Sequence, residues 1–265
     1  MRVRIGVVIP ARDEEQLIGR CLESVLASAR LVDARVDIVV AADGCLDATS
    51  AVARRYPGVR VLELESSNVG AARAAAASVA LRRGATWLAS TDADSVVPPQ
   101  WLARHARWQR EGWDVVVGSR YHHDTTTVVA ARRLREVGGR VINGATRLVL
   151  DGGHGDTQCG LKAFRSDIAG VLFGHSRVDG FAFDVELFLL VERYGFSLTE
   201  VPVQVENSER STVHVARDAA RLLVDLAGIR RAARRGAYDL RPGALDHLVP
   251  GPGPDPGPGA AGPDE

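Results

Sequence analysis

Short β-branched runs alternate with alanine-, leucine- and arginine-rich stretches along most of this chain, and that alternation leaves few folds open. A strand, a helix and a second strand pack back as a parallel pair. A long series of such units predicts an α/β fold with a mostly parallel sheet and helices on both faces. "VRIGVVIP" is the first expected strand, continued by "VDIVVAA", "VRVLEL" and "TWLAST". Between the first two lies "EEQLIGRCLESVLASAR", where Leu17, Ile18, Cys21, Leu22, Val25 and Leu26 form an apolar stripe behind acids in the first turn. "DATSAVARRY" and "GAARAAAASVALRRG" supply the next two helices, and this half reads as Rossmann-like.

The second half is less regular. "PPQWLARHARWQREG" predicts a helix, "DVVVGSR" a fifth strand, and the segment from about Val128 to Leu150 a long basic helix. A glycine-rich loop, "DGGHGDTQCG", leads to "LKAFRSDIAG", an aromatic stretch, a strand "LTEVPVQV" and a final helix from about Val213. From Arg241 onward the chain is nearly all Gly, Pro, Ala and Asp, which predicts a disordered tail.

A Rossmann-like half suggests nucleotide chemistry, but two common forms are excluded. The dinucleotide fingerprint needs G-x-G-x-x-G after the first strand, where this chain reads "PARDEE"; the Walker pattern is also absent. The expected carboxyl ends of the strands are acidic instead: Asp13, Glu14 and Glu15 after the first, Asp43 and Asp47 after the second, Asp92 and Asp94 after the fourth. Ligands of open α/β sheets bind at that edge. In an extended "STDADS" the side chains of Asp92 and Asp94 point the same way, because side chains alternate across a strand. Carboxylates repel bare phosphates, so the pair is read as the ligand set for Mg2+ or Mn2+ held between protein and a diphosphate. Asp43 and Glu14 suit hydrogen bonds from a base or ribose.

Lys plus Arg and Asp plus Glu stand at 33 each, so no overall field draws the chain to nucleic acid or anionic lipid. Cys21, Cys45 and Cys159 lack the paired spacing of a zinc site or disulfide framework, which fits a reducing cytoplasm. "IGVVIP" is too short for a signal-peptide core, and no run approaches the ~18 apolar residues of a membrane span, so the expectation is a cytoplasmic protein.

"IPARDEE", "VVAADGCLDATS", "NVGAARAAA", "TDADS", "VVVGSRY" and "DTQCGLKAF" together resemble the family 2 glycosyltransferases, inverting enzymes with a GT-A fold that use nucleotide sugars. "DTQCGLKAF" followed by "DGFAFDVELFLL" is similar to the branch that glycosylates dolichyl and polyprenyl phosphates. The resemblance implies a nucleotide-sugar half over residues 1–97, an acceptor half over 98–212, an amphipathic helix over 213–240 and the tail 241–265. It implies donor contacts at Pro10, Ala11, Arg12, Glu14, Asp43, Asn68, Gly70 and Asp92, and metal binding at Asp92 and Asp94. Ala71 stands where a basic residue often follows the N-x-G turn. UDP-glucose is the favoured donor and GDP-mannose the alternative.

If the acceptor is a lipid phosphate it is already ionised, and it needs cations rather than a base. Arg120, Arg133 and Arg210 are the candidates, beside Asp156 and Gln158 of the acceptor-side motif. If it is a hydroxyl, Asp156 or Asp184 is the expected base. A third reading is a nucleotide-sugar-binding protein without turnover. The helix from Val213, with Leu222, Leu223, Leu226 and Ile229 on one face and several arginines, is expected either to lie in a membrane interface or to pack on the domain.

Overall fold

The computed structural model describes residues 3–129, 144–147, 149–178, 180, 182–206 and 215–248. Strands β1 (Arg4–Ala11), β2 (Arg35–Asp43), β3 (Val59–Leu64) and β4 (Trp87–Ser90) alternate with helices α1 (Ile18–Ala29), α2 (Thr49–Ala53) and α3 (Val69–Arg82). Then follow α4 (Trp101–Arg110), β5 (Val115–Ser119), β6 (Thr126–Val129), β7 (Lys162–Arg165), α5 (Ser166–His175) and α6 (Phe183–Tyr194). β8 (Leu198–Pro202), β9 (Gln204–Glu206) and α7 (Val215–Arg234) complete the series.

The main sheet has seven strands in the order β3-β2-β1-β4-β7-β5-β8. All its pairings are parallel except those of β7, which runs antiparallel between β4 and β5. A second, two-stranded sheet pairs β6 with β9. The period-2 alternation of β1 sends Ile5, Val7 and Ile9 into a core shared with Ile18, Leu22 and Val25 of α1. Val8 faces the opposite core, with Ala76, Ala77 and Ala80 of α3.

The alanine run sets how closely α3 approaches the sheet. A Cβ added at Gly6 of β1 would lie 2.7 Å from the Ala80 Cβ. Helix and strand therefore touch through a position without a side chain on one partner and a single methyl on the other.

Several expectations change. α1 begins at Ile18 with no acid in its first turn, so Glu14 and Glu15 belong to the preceding loop and face the sheet edge instead of capping a helix. Val128 and Val129 are strand, not the start of a helix, because β9 offers them a partner; residues 130–143 of that expected helix lie outside the described residues. "LTEVPVQV" splits at Val203 into β8 and β9, which serve different sheets. The chain does not lose its packing at Arg241: Leu248 is buried and Leu245 packs against the same core, two apolar residues three apart within the polar, Gly- and Pro-containing segment.

Of the apolar face expected of α7, Leu222, Leu226 and Ile229 are buried in the core rather than available to a bilayer, whereas Leu223 is 50% exposed, and Arg221, Arg230, Arg231, Arg234 and Arg235 are exposed. No helix among the described residues is long and apolar enough to cross a membrane.

The Gly6 contact can be tested directly. Gly6→Ala places a methyl against Ala80 and Leu88, so α3 must shift; denaturant unfolding should show a loss of about 1–3 kcal/mol.

Candidate active site

The carboxyl ends of β1, β2 and β4 come together at one edge, and the sequence-predicted acids meet there. Pro10 and Ala11 end β1, buried, and Arg12 is exposed just beyond. Asp13 follows in the left-handed region, with φ of 52°. Its Oδ1 accepts from the Leu46 amide at 2.7 Å, and the Ala48 amide donates to Glu15 Oε2 at 3.0 Å. Asp47 answers in the other direction by accepting from the Glu15 amide at 3.0 Å. Asp13, Glu15 and Asp47 thus clasp the β1–α1 loop to the β2–α2 loop, and the Glu14 amide adds a bond to Thr49 Oγ1 at 2.8 Å. Glu14 is held between them.

The Glu14 carboxyl is pushed up to about 7 by burial first, then by the charges of Asp94, Asp47, Asp92 and Asp13. Burial leads that shift, and the neighbouring acids add to it, so negative charge gathers at this edge. Carboxylate oxygens are the donor type that suits a hard divalent ion such as Mg2+ or Mn2+. Asp94 is exposed and does not cap α4, whose N-cap position is Gln100.

Asp43 is placed at the edge but is otherwise engaged. Its carboxylate accepts from Ser66 Oγ at 2.8 Å, the Ser67 amide at 2.9 Å and the Asn68 amide at 2.6 Å. Burial would raise this carboxyl, yet those bonds from Asn68, Ser66 and Ser67 outweigh it and hold it below the usual range. Ser67 adopts a φ of 51° to make its bond. Asn68 then caps α3 by accepting from the Gly70 amide at 3.1 Å. Asp43 therefore fixes the turn that carries Asn68 and Gly70.

Two cations that the motif reading did not single out lie beside Asp92. Arg73, one turn into α3 and buried, donates from Nη2 to Asp92 Oδ1 at 2.7 Å. Its Nη1 donates to both oxygens of buried Asp184, at 3.1 and 3.2 Å. Lys162 Nζ lies 3.0 Å from Asp184 Oδ1 and donates to the Cys159 carbonyl at 2.5 Å. A sequence signal existed: Arg73 stands at helical spacing from the buried Ala76, Ala77 and Ala80, a charge on an otherwise apolar stripe. Gly160 packs on the other side of Asp92, where an added Cβ would sit 1.9 Å from Oδ2.

The acceptor side is built around Asp156. Arg120, just past β5, grips it with Nε at 2.6 Å and Nη2 at 2.9 Å, and the Arg120 amide adds a bond at 3.0 Å. The Gln158 amide donates to the same carboxylate at 3.1 Å. Burial would raise Asp156, but Arg120 outweighs it and keeps the carboxyl depressed. Glu192 of α6 accepts from the Gly152 amide and from the His154 ring at 2.7 Å, and Glu200 of β8 accepts from the Gly155 amide at 2.7 Å. The glycine-rich loop is thereby held from three elements.

Asp156 and Asp184, expected as bases for a hydroxyl acceptor, are buried and ion-paired, and Lys162 and Arg73 hold Asp184 depressed against its burial. Neither is placed to take up a proton. Arg133 and Arg210 lie outside the described residues.

The description "Glycosyl transferase family 2" fits residues 6–173, more than half of the chain. The chain belongs to that family. A polyprenol monophosphomannose synthase of Mycolicibacterium smegmatis is 30% identical over 214 residues, covering 78% of this chain and 78% of that protein. A dolichyl-phosphate beta-glucosyltransferase of Drosophila melanogaster is 30% identical over 220 residues, covering 76% of this chain and 67% of that protein. Among solved structures, the glucosyl-3-phosphoglycerate synthase of Mycobacterium tuberculosis, crystallised with Mn2+, UDP and glucosyl-3-phosphoglycerate, superposes with a TM-score of 0.64. That match covers 87% of this chain and 80% of the other at 22% identity, and it shows the GT-A fold.

Gly160→Ala should displace Asp92 while leaving both cores untouched. Mn2+ affinity should fall and hexose transfer should drop on the order of 10²-fold at a nearly unchanged melting temperature. Acid should unfold the protein through its paired carboxylates. Asp43, Asp156 and Asp184 titrate lower in the fold than in the unfolded chain, so their contribution is complete above about pH 4 and is lost as pH falls further. The melting temperature should therefore decline below that pH, and Asp156→Asn should flatten the decline.

Proposed function

We propose that this glycosyltransferase moves a hexose, with inversion, from a nucleotide diphosphate sugar to a polyprenyl-phosphate-type lipid, with UDP-glucose favoured over GDP-mannose. The observation that carries the acceptor class is the state of the carboxylates around the glycine-rich loop. Asp156, Asp184, Glu192 and Glu200 are all engaged by cations, amides or the His154 ring. A hydroxyl acceptor needs a base, whereas a phosphate acceptor arrives ionised and needs none. The names of the relatives, a polyprenol monophosphomannose synthase and a dolichyl-phosphate beta-glucosyltransferase, support the same class.

The donor lies along the edge formed by Pro10 to Glu14, Asp43, Asn68 and Gly70. Asp92 and Asp94, with Glu14 beside them, hold Mg2+ or Mn2+. When bound, that ion supplies Lewis-acid stabilisation to the departing diphosphate. On the acceptor side Arg120 spends Nε and Nη2 on Asp156, so the fork fixes the guanidinium plane and leaves Nη1 outside it. Arg120, with Arg133 and Arg210, receives the acceptor phosphate.

Contact with a lipid surface is peripheral and electrostatic. The exposed arginines of the last turns of α7 and just beyond it are its source, each contributing about 1 kcal/mol near anionic head groups. The buried leucines of that helix take no part.

The test pairs polyprenyl phosphate with the matching polyprenol, each offered UDP-glucose or GDP-mannose with Mn2+ or chelator. Product is expected with polyprenyl phosphate and UDP-glucose, abolished by chelator. Transfer to the free alcohol at equal rate would refute the acceptor class, and a GDP-mannose preference would reverse the donor. Co-sedimentation with anionic vesicles at low salt, lost at high salt, is the expected membrane result.

A further inference from the structure

Arg73 has no assigned part in the transfer reaction, yet it touches the first aspartate of the metal pair. Its two Nη groups go to carboxylates, Asp92 on one side and Asp184 on the other. Its Nε is buried with no partner among the described residues, so the two carboxylates hold the guanidinium. Asp184 continues to Lys162, and Lys162 to the carbonyl of Cys159 in the loop that carries Gly160. Gly160 returns to Asp92 from the opposite side. The contacts close a ring: Asp92, Arg73, Asp184, Lys162, the Cys159–Gly160 segment and Asp92 again.

We infer that Arg73 is a positioning residue that fixes the Asp92 carboxylate for the donor-bound cation, and that the ring ties that orientation to the acceptor-side loop. Chemistry supports both parts. With Oδ1 held by Arg73 and Oδ2 against Gly160, the carboxylate cannot rotate freely, so it presents one set of lone pairs to the edge. The guanidinium also removes one unit of negative charge from the acid cluster, which weakens cation binding in the absence of a diphosphate. A cation carried in with the nucleotide is then favoured over a cation bound alone. Ala71, at the position after the N-x-G turn, lacks a charge, and Arg73 two residues on supplies one from within the core.

The inference rests on the metal-dependent transfer reading, so metal binding is measured separately from transfer. Arg73→Met and Arg73→Lys are prepared as full chains, with folding checked by circular dichroism. Mn2+ affinity is read from the EPR signal of the free ion, without nucleotide. Arg73→Met should bind Mn2+ about 3- to 10-fold more tightly, because a neighbouring cation is gone. It should nevertheless transfer hexose at least about tenfold more slowly, with donor KM within about twofold, because Asp92 is no longer held. Arg73→Lys should return Mn2+ affinity to within about twofold of the parent and recover part of kcat. A purely structural role would not tighten Mn2+ binding while kcat falls, so unchanged or weaker binding by folded Arg73→Met overturns the inference. If Arg73→Met does not fold, Arg73→Lys decides alone. Reduced kcat at parental Mn2+ affinity supports the role, and parental kcat overturns it. Failure of the parent protein to bind Mn2+ both alone and with UDP present would refute the metal reading and this inference with it, a result visible before any variant is made.

Discussion

A carboxylate and two cations buried at the end of a sheet, with a second, half-exposed carboxylate beside them, are costly to desolvate and persist only if every charge is paired in good geometry. Asp92, Arg73, Asp184 and Lys162 meet that requirement as a neutral set, with Arg73 shared between two acids and Asp184 between two cations. Removing any one member strands another in a low-dielectric setting. The arrangement depends in turn on the close approach of α3 to β1, since a guanidinium on a helix standing farther off could not reach the strand ends. Packing of small residues and placement of charge are one constraint here.

The two sides of the site are built on different electrostatic terms. At the ends of β1, β2 and β4, burial first and then neighbouring acids push the Glu14 carboxyl up. Around the glycine-rich loop each acid has its own donor: Arg120 for Asp156, the loop amides and His154 for Glu192. The first arrangement gathers negative charge, while the second pairs it and holds a loop still. The boundary between them runs through Asp92 and Gly160.

Much of this was legible in the chain before any coordinates. The β1, β2 and β4 runs announce themselves by β-branched or apolar continuity, and their acidic ends follow from where the runs stop. Asp92 and Asp94 were legible as acids just past a strand end, but not through the period of a strand: β4 stops at Ser90, and the expected extended stretch is a turn in which the Ser95 amide donates to the Asp92 carbonyl at 3.1 Å. Arg73 was harder, because motif reading looks for charge at motif positions; its signal lay in helical phase, where an arginine shares a face with alanines. β7 was harder still. It is four residues long and antiparallel to both neighbours, so its place between β4 and β5 is set by pairing across long stretches of chain and not by local pattern. The same holds for β6 and β9, and for Leu245 and Leu248, whose packing rests on a core formed far upstream.

The position of β7 bears on the order in which the molecule can assemble. β1 to β4 form a contiguous block whose strand pairings with one another lie within the first ninety residues, but within it β4 has one open edge. Among the described residues that edge is paired by 162–165, and β5 and β8 join the block through the same short strand. The N-terminal half therefore carries an unpaired strand for as long as β7 is missing, a state with the sticky edge that sheet proteins usually hide. The strand that closes the sheet follows directly on the loop that carries Gly160, so pairing of β7 with β4 also brings that loop against Asp92.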